Sequence, residues 1–320
     1  MLKTALAALG MAILKLKVET PLFVLGGGSA VVGLDAFYKD GKLYLVDLGS
    51  PGVLSQMREP SLEAAVQLVA RDPARYSYAS FPSPQIPEKA EVKIGRAPPA
   101  STIKGLLRTA YLRYMLERDS EVAAKFLNAV KTALEERVHP KILASRGEEV
   151  VFRRYFDKRR FDLFNLVHVK ELSLRPNYRV YKVDVVEGGS VKASFYAVGT
   201  APGSEFEYLV EVAPFFKESG EKEQLISIED LRSALDLFAK EVAEFERSRG
   251  RLAPCERGVR LGFGAGRRWK TVLSFIQKRE PQLYESVGEY MHDRLKRVWG
   301  DLTVKIAEGK PVGWACYEWS

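Results

Sequence analysis

The sequence predicts an α+β fold, on three observations. Alternating apolar and polar runs recur in both halves of the 320-residue chain, single amphipathic helices interrupt them, and Gly or Pro turns separate neighbouring strand patterns. Residues 13–20 and 42–48 read as strands, with Leu25-Gly26-Gly27-Gly28-Ser29 between them. Leu54, Leu62, Ala65, Val66 and Val69 give 54–70 a helical pattern, and the proline-rich run 81–87 follows as a surface connection. Pro98 and Pro99 stop the incoming chain, and Ser101 or Thr102 can cap a helix whose apolar stripe is Ile103, Leu106, Leu107, Ala110 and Tyr114. A second helix covers 120–138. Strands follow at 178–186, 191–199 and 206–213, turning at Gly188-Gly189 and Pro202-Gly203. Ser227 caps a helix lined by Leu231, Leu235, Phe238, Val242 and Phe245; a last helix at 283–299 precedes short strands at 302–306 and 313–318.

Composition excludes several classes. With 46% hydrophobic and 28% charged residues the chain can build a core and is not a disordered tail. No run approaches the roughly 18 apolar residues of a membrane span. Cys255 and Cys316 cannot make a disulfide framework or a four-thiolate zinc site, and His139, His168 and His292 are scattered, so neither a metal nor a cofactor is expected. The opening 1–12 resembles a signal peptide, but its apolar run is short and flows into a strand pattern; the expectation is a cytoplasmic protein with reduced thiols.

The net charge of +8 is unevenly spread. Residues 151–200 carry 10 basic and 5 acidic side chains, 201–250 carry 6 and 12, and 251–300 carry 11 and 5. In the first basic block Phe152-Arg153-Arg154-Tyr155-Phe156 continues to Phe161, cations interleaved with aromatics, a pattern that suits single-stranded RNA and equally a hairpin with solvated Arg. In the second, Gly262, Gly264 and Gly266 precede Arg267, Arg268 and Lys270. Glycines let backbone N–H groups approach an anion, while the spacing fits neither a Walker A loop nor a dinucleotide fingerprint. Lys104 and Arg108 share the polar side of the helix that starts at 101–102. A cation in a first helical turn opposes the macrodipole, and an anion bound there would relieve the conflict.

Four motifs in order carry a family resemblance: Val18-Glu19-Thr20-Pro21-Leu22 with Gly26-Gly27-Gly28-Ser29; Ala100-Ser101-Thr102-Ile103-Lys104-Gly105; Leu261 through Gly266 with Trp269-Lys270-Thr271; and Pro311-Val312-Gly313-Trp314. From about residue 14 onward the chain resembles the RAMP superfamily of CRISPR effector subunits, and is most similar to the cap subunit of type III-A (Csm) complexes. It departs where relatives often carry His after the Pro-Leu pair and this chain has Phe23.

The resemblance implies ferredoxin-like, RRM-like units, two of them, divided as 1–165, with a helical insertion at about 50–98, and 166–320, with the Gly-rich loop 261–271. It implies a non-catalytic subunit that caps the backbone filament, binds the 3′ part of the CRISPR RNA and supports its maturation. Its partners would be the neighbouring backbone subunit, the small subunit and a host trimming nuclease. Candidate RNA-binding residues are Gly27, Gly28, Ser101, Thr102, Lys104, Arg108, Arg153, Arg154, Gly264, Gly266, Arg267, Arg268 and Lys270. The alternative is an endoribonuclease of the same superfamily, with Asp35 placed like the slicing Asp of backbone subunits or a histidine as proton carrier. A third is a protein with no RNA role whose basic loop binds another anion.

Overall fold

Even-numbered residues of the first strand, Leu14, Leu16 and Val18, are buried while Lys15 and Lys17 face outward, as the alternation requires. The computed structural model describes residues 10–57, 61–156, 159–216, 222–296, 299–301 and 303–320; the signal-like opening up to residue 9, and Lys158, lie outside them. The strands are β1 (Met11–Val18), β2 (Val24–Val31), β3 (Ala36–Lys39), β4 (Lys42–Val46), β5 (Ser77–Pro82), β6 (Glu91–Arg96), β7 (Arg153–Phe156), β8 (Arg159–Asp162) and β9 (Val167–Arg175). There follow β10 (Tyr178–Glu187), β11 (Ser190–Thr200), β12 (Glu205–Val212), β13 (Phe215–Phe216), β14 (Lys222–Glu223), β15 (Gly258–Arg260), β16 (Thr303–Ala307), β17 (Lys310–Pro311) and β18 (Trp314–Trp319). Helices longer than one turn are α1 (Leu62–Arg71), α2 (Ala100–Arg118), α3 (Ser120–Glu135), α4 (Pro140–Phe152), α5 (Ile228–Ser248), α6 (Leu273–Arg279) and α7 (Pro281–Leu295).

One antiparallel sheet has the order β15-β18-β1-β12-β9. Its buried face, with Leu14, Leu16, Phe206, Tyr208 and Val210, shares one core with Ile103 and Leu107 of α2 and Leu231, Leu235 and Phe238 of α5. Along the chain this is β1–α2–β9–β12–α5–β18, a βαββαβ unit whose fourth, first, third and second strands lie side by side, the ferredoxin-like arrangement. A second sheet, β17-β16-β10-β11-β6-β2, is antiparallel except for the parallel pair β11–β6. Leu43 and Leu45 of the small sheet β3-β4-β5 share a core with its Val92, Val180 and Val198.

Two expectations need correction. The boundary at 165/166 does not separate the sheets: β1 pairs with β12 and β18, and β2 and β6 share a sheet with β10, β11 and β16. The βαββαβ order occurs once among the described residues, because the strands that complete β1 come from much later in the chain. The 50–98 segment is not simply helical either; beside α1 and two single turns it supplies β5 and β6.

The acidic helix α5 is explained within the chain. Its start is a capping box in which Ser227 Oγ accepts from Asp230 N–H at 3.0 Å and Asp230 Oδ2 accepts from Ser227 N–H at 3.0 Å. Its carboxylates then take partners from elsewhere: Glu241 from Arg113 Nε at 2.5 Å, Asp236 from the Tyr317 hydroxyl at 2.6 Å, and Glu246 from Arg260 at 3.0 Å. Most carboxylates of α5 are therefore met by cations or donors of the chain itself. Helix α4 contains Gly147, where a Cβ would sit 2.6 Å from the Phe126 ring, so glycine permits close packing of α4 on α3.

The cysteines are not reduced thiols: Cys255 and Cys316 form a disulfide with a Cα–Cα distance of 6.2 Å. Cys316 stands opposite Gly258 in the β15–β18 pairing, which brings the turn before β15 within reach. Among the described residues no helix is long and apolar enough to cross a membrane, and no group of His, Cys, Asp or Glu could hold a metal ion.

Candidate nucleic-acid interface

RRM-like sheets commonly stack bases on aromatic side chains of their open face. Here that face carries Lys15, Lys17, Glu205, Glu207, Glu211, Lys170 and Glu318, with Lys15 and Glu207 paired at 3.1 Å and Lys170 and Glu211 at 3.2 Å. Among the described residues the pairings of β1, β9, β12 and β18 with one another place no Phe, Tyr or Trp on that face and one imidazole, His168 opposite Glu211, so the charged ladder offers few stacking platforms.

The start of α2 and the Gly-rich loop, about 160 residues apart in sequence, form the two walls of one cleft of ≈ 540 Å³. Ser101, Thr102, Gly105 and Thr109 line one wall; Gly262, Phe263, Trp269 and Lys270 line the other; Val24 and Leu25 close an end. The N-cap of α2 is Pro99, which offers no side-chain cap. Ala100 N–H donates to Glu171 Oε1 at 3.0 Å and Thr102 N–H to Pro99 O at 2.8 Å, satisfying part of that terminus. Beyond Leu25 the β2–β6 register slips, and Gly26, Gly27 and Gly28 bulge out of the strand; Gly28 has φ +87° and open space about it.

The loop is fixed from below. Gly262 has φ +72°, and a Cβ there would lie 2.1 Å from Phe23 O, so only glycine lets Phe263 N–H reach that carbonyl at 2.6 Å. Arg260, 3% exposed, donates to Val312 O at 3.1 Å, Glu246 Oε1 at 3.0 Å and Gly264 O at 2.8 Å. Burial lowers its pKa and Glu246 opposes that shift. Its role escaped the sequence reading because nothing local marks one Arg of a basic run as the buried one.

Lys270 lines the cleft; Lys305 is close enough to feel its charge and donates to Thr303 Oγ1 at 3.1 Å, while Lys104, next to the lining residue Gly105, is acted on by Asp162 and Arg108. Desolvation lowers the Lys270 amine; desolvation, then Arg260 and Lys270 as like charges, lower Lys305. Desolvation also lowers Lys104, Asp162 opposing and Arg108 assisting. Lys305 was not among the expected residues; it sits on β16, where a Cβ on Gly264 would come within 3.1 Å of it. Lys270 and Lys305, both partly desolvated and close enough for like charge to act on Lys305, are cations that an anion in the cleft would stabilise.

The other candidate cations serve the fold. Arg108 donates to Glu148 at 3.1 Å and to both oxygens of Asp162 at 2.9 and 3.0 Å, with its guanidinium 3.8 Å from the Phe152 ring centroid. Although burial opposes the charge, Asp162 and Glu148 raise its pKa. Arg267 bonds Asp301 at 3.2 Å and the Gly300 carbonyl. Arg268, 3% exposed, bonds Asp301, Gln277 and Tyr284 at 2.8–2.9 Å and Ser274 at 3.3 Å. Arg153 pairs with Glu149, and Arg154 donates to Arg153 O, both on the β7–β8 hairpin away from the cleft, in which Phe152 is core. Gly264 and Gly266 shape the loop without lining the cleft. The Asp35 carboxylate accepts from Val31 N–H inside a turn, and neither it nor any histidine lines the cleft. Arg108→Ala is expected to lower stability by about 2 kcal/mol, read by thermal melting, since charged hydrogen bonds of this kind contribute ~1.5–3 kcal/mol; an unchanged melting curve would return Arg108 to the list of free cations.

The sequence matches no family model and no curated protein. By structure, the chain is similar to a protein chain in the cryo-EM structure of a Csm–crRNA–target RNA ternary complex of a type III-A CRISPR-Cas system, with TM-score 0.66 and 18% identity over 96% of this chain and 100% of that one. It is also similar to the crystal structure of T. onnurineus Csm5, with TM-score 0.56 and 18% identity over 94% of this chain and 99% of that one. Across nearly its whole length, then, the chain has the α+β fold of these Csm proteins.

Proposed function

We propose that the chain is a non-catalytic RNA-binding subunit of a type III-A CRISPR complex, holding the backbone of the CRISPR RNA in the cleft between the α2 start and the Gly-rich loop. The observation that carries this reading is the meeting of the α2 start and the Gly-rich loop, two motifs distant in sequence, in one cleft lined by Ser101, Thr102 and Lys270, with Lys305 near enough to feel the Lys270 charge. The likeness to Csm structures supports the wider setting, in which the chain caps the filament at the 3′ end of the CRISPR RNA, beside a backbone subunit and the small subunit, and supports 3′ maturation by a host nuclease.

Phosphate contacts make such binding steeply salt-dependent and indifferent to sequence. Lys104→Ala with Lys270→Ala is expected to lower affinity for a single-stranded RNA by about tenfold or more and to flatten the salt slope by about two contacts, with no change in melting. Fluorescence anisotropy across a salt series checks it. Parent-like affinity in the double variant would remove the cleft from the RNA path.

A further inference from the structure

Behind the cleft lies a second cavity of ≈ 390 Å³, walled by apolar side chains that include Phe126, Val130, Leu143 and Trp299. Thr109 and Lys270 line both spaces, so the cavity adjoins the cleft where the cation stands. Trp299 is held in place by the Arg267 guanidinium 4.4 Å from its ring centroid. A phosphodiester chain lying in the cleft carries a base beside each phosphate, and a base is flat, uncharged and apolar on both faces. Glu148, bonded by Arg108, and Arg267, over the Trp299 ring, also line the cavity, but most of its wall is apolar or aromatic, so it suits the base of a nucleotide whose phosphate lies by Lys270 in the cleft.

We propose that this cavity receives one unstacked nucleobase of the bound RNA, so that the cleft grips the backbone and the cavity fixes its register. The inference rests on the reading of the cleft as an RNA site. A base is unstacked more easily in a single strand than in a duplex, and stacking in a protein pocket offsets that cost.

Ala144 lines the cavity from α4 and is itself exposed, so a larger side chain there obstructs the space without disturbing the core. The test crosses Ala144→Phe with an abasic site walked along a single-stranded RNA. In the parent, one abasic position should weaken binding by about tenfold. In Ala144→Phe the RNA with all its bases should already be weakened by about that factor, and the abasic site should make no further difference. A 2-aminopurine at the same position should change emission on binding to the parent and not to the variant. If Ala144→Phe melts below the parent, Ala144→Leu provides the same cycle with a smaller obstruction. RNA binding that is equally tight in parent and variant, with no sensitive position, overturns the base pocket and leaves the cleft standing. Absence of RNA binding in the parent overturns both. Loss of a co-purifying protein subunit in the variant, with the RNA results unchanged, would assign the cavity to a protein side chain and overturn the base assignment.

Discussion

Arg260→Ala is expected to destabilise the chain by about 3–5 kcal/mol, the usual cost of removing one partner from a buried ion pair. The substitution leaves Glu246, whose side chain is 4% exposed, facing Arg251 alone, and removes the donors to the Gly264 and Val312 carbonyls. Melting in denaturant measures the loss. Arg260→Met with Glu246→Leu separates two effects. It removes the Arg260–Glu246 pair but leaves Arg251, whose side chain is 15% exposed, without its carboxylate, so only part of the stability should return, while the Gly264 carbonyl stays unheld and RNA affinity stays low. If the single variant loses less than about 1 kcal/mol, the pair is not the buried support described above. If the double variant binds RNA like the parent, Arg260 does not position the loop.

Opening the disulfide has the second-largest expected effect. Cys255 and Cys316 are 61 residues apart in sequence, and a loop of that size corresponds to about 4 kcal/mol of lost chain entropy in the unfolded state, with ~2–4 kcal/mol usual in practice. Cys255→Ala with Cys316→Ala, or reduction of the parent, should lower the melting temperature by about 3–6 °C for a chain of this size. Intact mass without reductant should match the bonded form. A free-thiol count of two in the native protein, or melting that ignores reductant, would refute the cross-link.

How much was legible in the sequence follows from where the deciding forces act. The helix starting near Ser101, the strands at 178–186, 191–199 and 206–213 and the Ser227 cap are set by local pattern, and the structure places them within a residue or two of the expected bounds. The glycines of 26–28 read as a loop, yet the flanking Val24, Leu25 and Ser29 pair with β6 and make the segment a bulged strand; partners 70 residues away decide that. The cleft was half legible: both walls were singled out as motifs, and Ser101, Thr102 and Lys270 line it. That Arg108, Arg267 and Arg268 meet carboxylates was not legible, because a cation's identity does not reveal whether Asp162 or Asp301 will meet it in space. Lys305 left no trace in the sequence, since its strand shows neither motif nor unusual spacing.

The pairing of β1 with both β12 and β18 has a consequence for how the chain comes to be made. During synthesis β1 emerges early, yet its two neighbours are translated only after residues 205 and 314 respectively. Until then its backbone donors and acceptors present an open edge, and contacts at such long separation slow folding. A nascent chain stalled between these points would expose Leu14, Leu16 and Val18 without their core. First β12 and then β18 close the sheet on the two sides of β1, so a fragment ending before β18 should be insoluble while co-expressed complementary fragments could rescue one another.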